Sequence, residues 1–465
     1  MGFRKTIQEF RESKWPLVAV VTVAMVFDNC LMTAVVPLLP VVLLGKCHRD
    51  SSTETIEEFG NLTSVMDSHD TVGIIELSEC EKAVNTNLGL LLASQFVVRI
   101  ALSPLGGYIC RKWGYFVVMM IGCLLMITSS LVYAFSTSYA AYLAGRLLHG
   151  FAAVMNAVGG LGVIGYRFRD DDKQRGFVLG FVVCGFAVGS ILGPVFGGLL
   201  GDSMGPMFPF LVFAGLLTLL LVAQMWIYQP ETETEEHEDP MALLHILKNP
   251  NALIAAGSLT MASVVLGILE PALPVWMLQT MAARTWQLGA VFIPSGTLYV
   301  IACTTMGFVS YRIGRWLCIA VPIFVLSVNV ALLPFATSFI KLLVPMAVVG
   351  FCFGAVDVNT CAVLFYIAER DFKGAYGAAS ALITLAFSLG FILGPALSSI
   401  LLNNVGFEWM LRGLGICTAL LTPLCWILRG SDSEPTSSEK AGEKTVLILP
   451  AVKPDTVAHR VTDLD

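Results

Sequence analysis

Apolar residues run along this chain in long unbroken blocks, with neither the two-residue alternation of a strand nor a heptad seam. Twelve blocks are long enough to cross about 30 Å of hydrocarbon at 1.5 Å per residue. They lie near 17–44, 87–110, 115–136, 139–166, 176–200, 207–228, 251–279, 286–310, 316–336, 341–368, 376–402 and 407–428, and are called spans 1 to 12 in that order. Backbone groups in lipid must be satisfied within the segment, so each span is predicted to be a helix and the chain an all-α membrane protein.

Composition agrees and excludes a soluble domain: 56% of the 465 residues are hydrophobic and 13% charged, and the mean hydropathy is +0.77. The short connections then set the orientation, because Lys and Arg resist translocation. Arg4, Arg11, Arg111, Lys112, Arg169, Arg175, Arg312, Arg315 and Arg370 fall on the side of the two termini, whereas the opposite side carries only Lys46, Arg49, Lys82, Arg284 and Lys341. Both termini are therefore expected in the cytosol. The first apolar run is too long for a cleavable signal and carries Asp28, so it reads as span 1 itself. The net charge of −6 says little about partners, because the acidic excess lies in the 231–239 run, the tail and the first outer loop, and no nucleic-acid partner is expected. Residues 1–16 form a cytosolic N-terminus, and a long polar loop, 45–86, is expected on the lumenal side. That loop holds the glycosylation sequon Asn61-Leu62-Thr63, and Cys47 and Cys80, candidates for a disulfide in an oxidising lumen.

Two motifs recur at one spacing. Gly107-Tyr108-Ile109-Cys110-Arg111-Lys112-Trp113-Gly114 between spans 2 and 3 matches Gly307-Phe308-Val309-Ser310-Tyr311-Arg312-Ile313-Gly314-Arg315 between spans 8 and 9, 200 residues on. Gly189-Ser190-Ile191-Leu192-Gly193-Pro194 in span 5 matches Gly390-Phe391-Ile392-Leu393-Gly394-Pro395 in span 11, 201 residues on. Small residues four apart let helices approach closely, and Gly-Pro bends them. The chain thus divides into six-helix halves, 17–228 and 251–428, joined by an acidic linker at 229–250 and followed by a polar tail from 429 to 465. With these motifs it resembles the major facilitator superfamily, which implies that fold: twelve helices in two six-helix pseudo-repeats. Gly189 to Gly198 also resembles the span 5 signature of that superfamily's antiporters.

Ionisable residues inside a span cost about 2.5–3.5 kcal/mol on insertion scales and mark function by default. Here they are Asp28, Arg99, Arg146, Glu270 and Asp357. Counted from the cytosolic span ends, Asp28, Arg99 and Asp357 come about 16 Å into the membrane, so they share a level near its midplane. Three acids against two arginines leave a carboxylate without a fixed partner, as a site for a cation or proton requires. Burial raises a carboxylate's pKa and an adjacent Arg lowers it, so an acid that exchanges partners can take up and release protons. Arg146 and Arg99 are gate or ion-pair candidates, and His149, one turn from Arg146, adds a side chain that titrates near neutral pH.

These residues carry a further resemblance, over about 17–430, to the vesicular amine transporters, the family of the monoamine and acetylcholine carriers. Phe27-Asp28-Asn29 with Val36-Pro37 is similar to the family's span 1. Leu269-Glu270-Pro271-Ala272-Leu273-Pro274-Val275-Trp276 with Trp286-Gln287-Leu288-Gly289 is similar to its span 7 region, and Gly314-Arg315-Trp316-Leu317-Cys318 and Val356-Asp357 agree. The resemblance implies amine-facing roles for Asp28, Asn29 and Glu270, a lining role for Tyr299, and proton coupling at Asp357 and Glu270. Departures are equally specific. The family's span 2 Lys and span 11 Asp are Gln95 and Thr384 here, its span 11 Tyr is Phe391, and its span 4 Arg-x-x-Gln is Arg146-x-x-His149. Losing both members of a buried pair is close to neutral, whereas losing one strands a charge. Arg99, one turn from Gln95, is the candidate to take over the lost cation's work by pairing with Asp28 or Asp357. The family's loop cysteine is Ala282, which leaves Cys47 as the candidate partner of Cys80.

In the tail, Glu443-Lys444-Thr445-Val446-Leu447-Ile448 has the form of a dileucine sorting signal, with Glu443, Leu447 and Ile448 as the residues a clathrin adaptor reads. The expected function is a proton-coupled antiporter that loads a small organic cation, such as a monoamine, into acidic secretory or synaptic vesicles. Lipid and protons are its other partners, no cofactor is implied, and the proton gradient is the driving force. The alternatives are a uniporter or exporter of another organic cation, such as a polyamine or drug-like base, and a receptor-like protein on the same scaffold. No nucleophile elbow, phosphate loop or metal-ligand cluster points to an enzyme.

Overall fold

A computed structural model describes residues 14–35, 91, 93–228, 241–281, 285–372 and 374–431. The glycosylation sequon at Asn61, the cysteines Cys47 and Cys80, the greater part of the linker, and the sorting residues Glu443, Leu447 and Ile448 lie outside them. Among the described residues twelve long helices follow one another, the first ten being α1 (Lys14–Val35), α2 (93–113), α3 (Tyr115–Phe135), α4 (Tyr139–Arg167), α5 (Asp172–Met204), α6 (Phe208–Ile227), α7 (Pro250–Met281), α8 (Ile293–Ile313), α9 (Arg315–Leu332) and α10 (Phe339–Asp371). A last run, Tyr376–Leu421, is divided by Gly406, whose φ of 78° no helix continues through. It gives α11 (376–405) and α12 (407–421). Eleven runs are long and apolar enough by composition to cross a membrane. The twelfth is α2, whose apolar content is interrupted by Gln95, Arg99, Arg111 and Lys112.

Helix ends differ from the hydropathy boundaries where polar caps extend a helix beyond its apolar block. Span 5 was bounded at 176–200, but the carboxylate of Asp171 accepts from the Gln174 backbone N–H at 2.9 Å and starts α5 at Asp172. The Ser138 hydroxyl likewise accepts from Ala141 N–H to open α4. Span 8 is two pieces, a short helix Thr285–Ala290 and then α8, which Pro294 opens in its first turn.

The two sequence motifs become one geometry used twice. Gly114 and Gly314 take φ of 84° and 100°, each N–H donates to the carbonyl four residues back, Cys110 and Ser310, at 2.8 and 3.0 Å, and each starts the next helix. With ψ of 150° and 133° these positions lie in a region of positive φ and extended ψ that is kept for glycine, where a side chain costs about 1–3 kcal/mol. Gly114→Ala and Gly314→Ala are therefore expected to lower the melting temperature of the detergent-solubilised protein, and unchanged melting would contradict the turn geometry. Arg111 stacks on Tyr108 at 5.1 Å and Arg312 on Phe308 at 5.1 Å, again in parallel. In the second motif, a methyl group at Gly193 would come within 2.6 Å of the Cys30 carbonyl oxygen of α1, and one at Gly394 within 2.7 Å of Gly267 in α7. Pro194 and Pro395 follow inside α5 and α11. These glycines let α5 pack on α1 and α11 on α7.

The halves close on each other at the end where the basic connections lie. A methyl group at Gly107 would meet the Gly377 carbonyl oxygen at 3.1 Å, and one at Gly307 would meet that of Gly176 at 2.5 Å. The Gly377 N–H donates to the Tyr115 hydroxyl across the same interface. Arg175, buried at 1% exposure, pairs with Asp172 in its own first turn and with Glu369 at the end of α10, while Arg315 at the start of α9 pairs with Asp172. The pairs Arg175–Glu369 and Arg315–Asp172 join the halves at the basic end.

Candidate functional site

The mid-membrane charges separate into two groups, one in each half. In the first, Asp28 of α1 is 2% exposed. Arg99 Nη2 of α2 donates to its Oδ2 at 3.4 Å, and His149 Nε2 of α4 lies 3.0 Å from its Oδ1. Arg146, fully buried, donates from Nη1 to Gln95 Oε1 at 2.7 Å and to the Met32 carbonyl oxygen at 3.1 Å. Helical spacing explains the set: Gln95 and Arg99 stand four apart on one face of α2, Arg146 and His149 three apart on one face of α4, and both faces meet α1. Asn29 turns its amide back to the Met25 carbonyl oxygen, which leaves its own buried oxygen without a partner among the described residues.

In the second half, the Tyr299 hydroxyl of α8 donates to Asp357 Oδ2 of α10 at 2.5 Å, and Cys361 Sγ lies 4.0 Å from the other oxygen. Asp357 is 5% exposed. Glu270 of α7 is exposed. Neither acid has a basic partner among the described residues. The arithmetic on these residues is one acid and two arginines in the first half, and two acids without a cation in the second.

Of the two acids open to Arg99, it takes Asp28, and the partner of Asp357 is the Tyr299 phenol. Equal depth along two helices says nothing of the direction each side chain faces, and α2 turns Arg99 toward α1. Gln95, where the resembled family has a Lys, accepts from Arg146, and Thr384, where it has an Asp, donates its hydroxyl to its own helix at the Ser380 carbonyl oxygen.

The groups are bridged by aromatic rings that sequence reading missed. Tyr299 lies 5.7 Å from Phe186 of α5, Phe186 lies 6.2 Å from Phe391 of α11, and Phe391 stacks on Phe96 of α2 at 5.5 Å and 11°. Arg99 sits 5.5 Å over the Phe96 ring. Phe353 and Phe387 complete the cluster. A continuous path of contacts thus runs from Asp357 through Tyr299, Phe186, Phe391, Phe96 and Arg99 to Asp28. In a chain with 28 Phe such rings read as membrane background; the one available signal was Phe391, a departure from a tyrosine. The cross-half pairs of Asp172 and Glu369 were also missed, although both acids lie beside span ends on the basic side.

A twelve-helix, twofold-repeated bundle with buried charges at mid-depth defines a polytopic transporter rather than an enzyme, and the chain belongs to the Major Facilitator Superfamily, whose model matches residues 21–376. Within it the chain is a member of the vesicular amine transporter family. It is 32% identical to the human synaptic vesicular amine transporter, with 93% of this chain and 91% of that protein covered. Identity is 29% to the rat chromaffin granule amine transporter (94% and 91% covered) and 26% to the mouse vesicular acetylcholine transporter (91% and 84% covered). Among solved structures, the human organic anion transporter MFSD10 aligns with a TM-score of 0.68 at 20% identity over 89% of this chain and 99% of that one. The E. coli fucose:proton symporter aligns at 0.64 and 11% over 88% and 98%. Those likenesses bear on the fold.

Proposed function

We propose that the protein is a proton-coupled antiporter that loads a small organic amine into an acidic vesicle. The observation that carries this is the charge arrangement: two acids inside the spans of the second half, Asp357 beside Tyr299 and the exposed Glu270 of α7, have no basic partner among the described residues. An ammonium group supplies the missing charge. The exposed Glu270 meets it first, the aromatic rings around Tyr299 and Phe186 cover its apolar part by cation–π and stacking contacts, and Asp28 accepts it by exchanging one of its two present donors. Asn29 contributes its unpaired oxygen. That the relatives are amine transporters by name supports the substrate class.

Coupling rests on Asp357. An acid whose present partner is a phenol can lose or gain a proton without breaking an ion pair, and the aromatic path ties its state to Phe391 and Phe96, which touch across the halves. Closure of the basic end, with Arg175, Glu369, Arg315 and Asp172 paired, then corresponds to the conformer sealed to the cytosol, with both termini on that side and the tail's Glu443, Leu447 and Ile448 available to an adaptor. Opening to the cytosol requires those pairs to part, and substrate and proton must favour opposite openings.

The test is uptake by proteoliposomes with an acidic interior. Monoamines, acetylcholine and polyamines are offered in parallel. Accumulation of one class that collapses on adding a proton ionophore supports antiport. Accumulation indifferent to the ionophore would indicate a uniporter, and no accumulation of any amine would remove the amine reading.

A further inference from the structure

We infer that His149 is a second proton carrier, one that competes directly with the amine for Asp28. The inference rests on the amine reading above and adds a residue to it. Asp28 has two oxygens, and both are engaged: Oδ2 by Arg99 and Oδ1 by His149. Each oxygen could accept a second hydrogen bond, but Asp28 is 2% exposed behind these two side chains, so an ammonium reaches it only where one of them swings aside. Arg99 is a permanent cation, buried at 4% exposure, and releasing it would strand its charge in the bundle. A neutral imidazole gives up only one hydrogen bond. The exchangeable donor is therefore His149.

Protonation reverses the preference. His149 is fully buried, and its Nδ1 has no hydrogen-bond partner among the described residues. A proton taken there breaks no existing bond, while Nε2 keeps its contact with Asp28. The imidazolium then holds Asp28 as a second cation beside Arg99. The charged and titratable groups around it are Asp28 from α1, Arg99 from α2 and Arg146 on its own helix, with Tyr133 of α3 beside Arg146 and the neutral Gln95 between α2 and α4. Two guanidiniums and one carboxylate make this pocket already positive. It accommodates an amine or a second proton on the imidazole, not both. One proton arriving at Nδ1 thus expels one amine from Oδ1, which is the exchange an antiporter needs on the acidic side. The basic end is sealed in this conformer, so the proton enters from the opposite end.

The experiment is equilibrium binding of tritiated serotonin, with tritiated spermidine as a second probe, to the purified full-length protein at pH 7.5 and 5.5. Wild type is compared with His149→Gln, which keeps a donor for Asp28 and cannot be protonated. Each protein is scored by its own affinity ratio between the two pH values, so that protons taken up elsewhere cancel. Wild type is expected to lose at least about twofold more affinity on acidification than His149→Gln, the linkage of one competing proton. Equal ratios would overturn the proposal. If His149→Gln yields too little protein, His149→Asn is measured in the same way. Melting temperature against pH without amine forms a second arm: a step between pH 5.5 and 7.5 in wild type, absent from the variant, supports protonation at His149, and superimposable curves overturn it. Failure of wild type to bind either probe would instead sink the amine reading, and the melting arm keeps the two failures apart.

Discussion

Asp357→Asn is expected to bind amine measurably and yet to accumulate it at least about twentyfold less than wild type under an imposed pH gradient, since a coupling ligand acts only through its differential affinity for the two states. The side chain is nearly isosteric, and its carbonyl oxygen can still accept from the Tyr299 hydroxyl that now reaches Oδ2. What disappears is the ability to lose a proton. Asn holds the site permanently in the form that the protonated acid takes, so binding through Glu270 and Asp28 survives while the cycle loses its drive. Binding is read by displacement of a radiolabelled amine, and accumulation by filtration of proteoliposomes. Intact gradient-driven accumulation with lost binding would make Asp357 a substrate anchor and move the coupling proton to Glu270.

Removing Asp28 is expected to damage both transport and the fold. Arg99 and Arg146 would be left together, buried, with no carboxylate beside them among the described residues. Breaking a buried pair by deleting one partner costs about 3–5 kcal/mol, so Asp28→Asn should show lower yield and melting temperature as well as lost uptake. Asp28→Asn/Arg99→Gln separates the effects: removing both charges should restore much of the stability and none of the uptake. A single variant as stable as wild type would contradict the ion pair, and a transporting double variant would remove Asp28 from the amine site.

What could be read in advance follows from what each signal encodes. Hydropathy records the thickness of the bilayer, so the twelve spans and their repeat at 200 residues were visible, down to the pair Gly114 and Gly314 whose positive φ explains why both are glycine. Helix ends are set by caps such as Asp171, outside the apolar blocks, and shifted accordingly. Depth along a helix can be counted, and it grouped Asp28, Arg99 and Asp357 on one level. Azimuth depends on how helices pack, and that decided between Asp28 and Asp357 as the partner of Arg99. His149 was legible as a titratable side chain one turn from Arg146; its partner being Asp28 is what the packing of α4 on α1 adds. Asp172 and Glu369 looked like ordinary connection charges because only the fold brings α5, α9 and α10 together at one end.

The central claim, exchange of protons for amine, is tested most directly by following both at once in the same vesicles. Proteoliposomes with an acidic interior and a trapped pH indicator are given a transported amine, and the amine and the internal pH are recorded together. Antiport predicts that amine entry is accompanied by an alkalinisation of the interior beyond that caused by the amine's own diffusion in protein-free liposomes, with both signals lost in Asp357→Asn. Amine accumulation with an internal pH trace identical to that of protein-free controls would contradict the account.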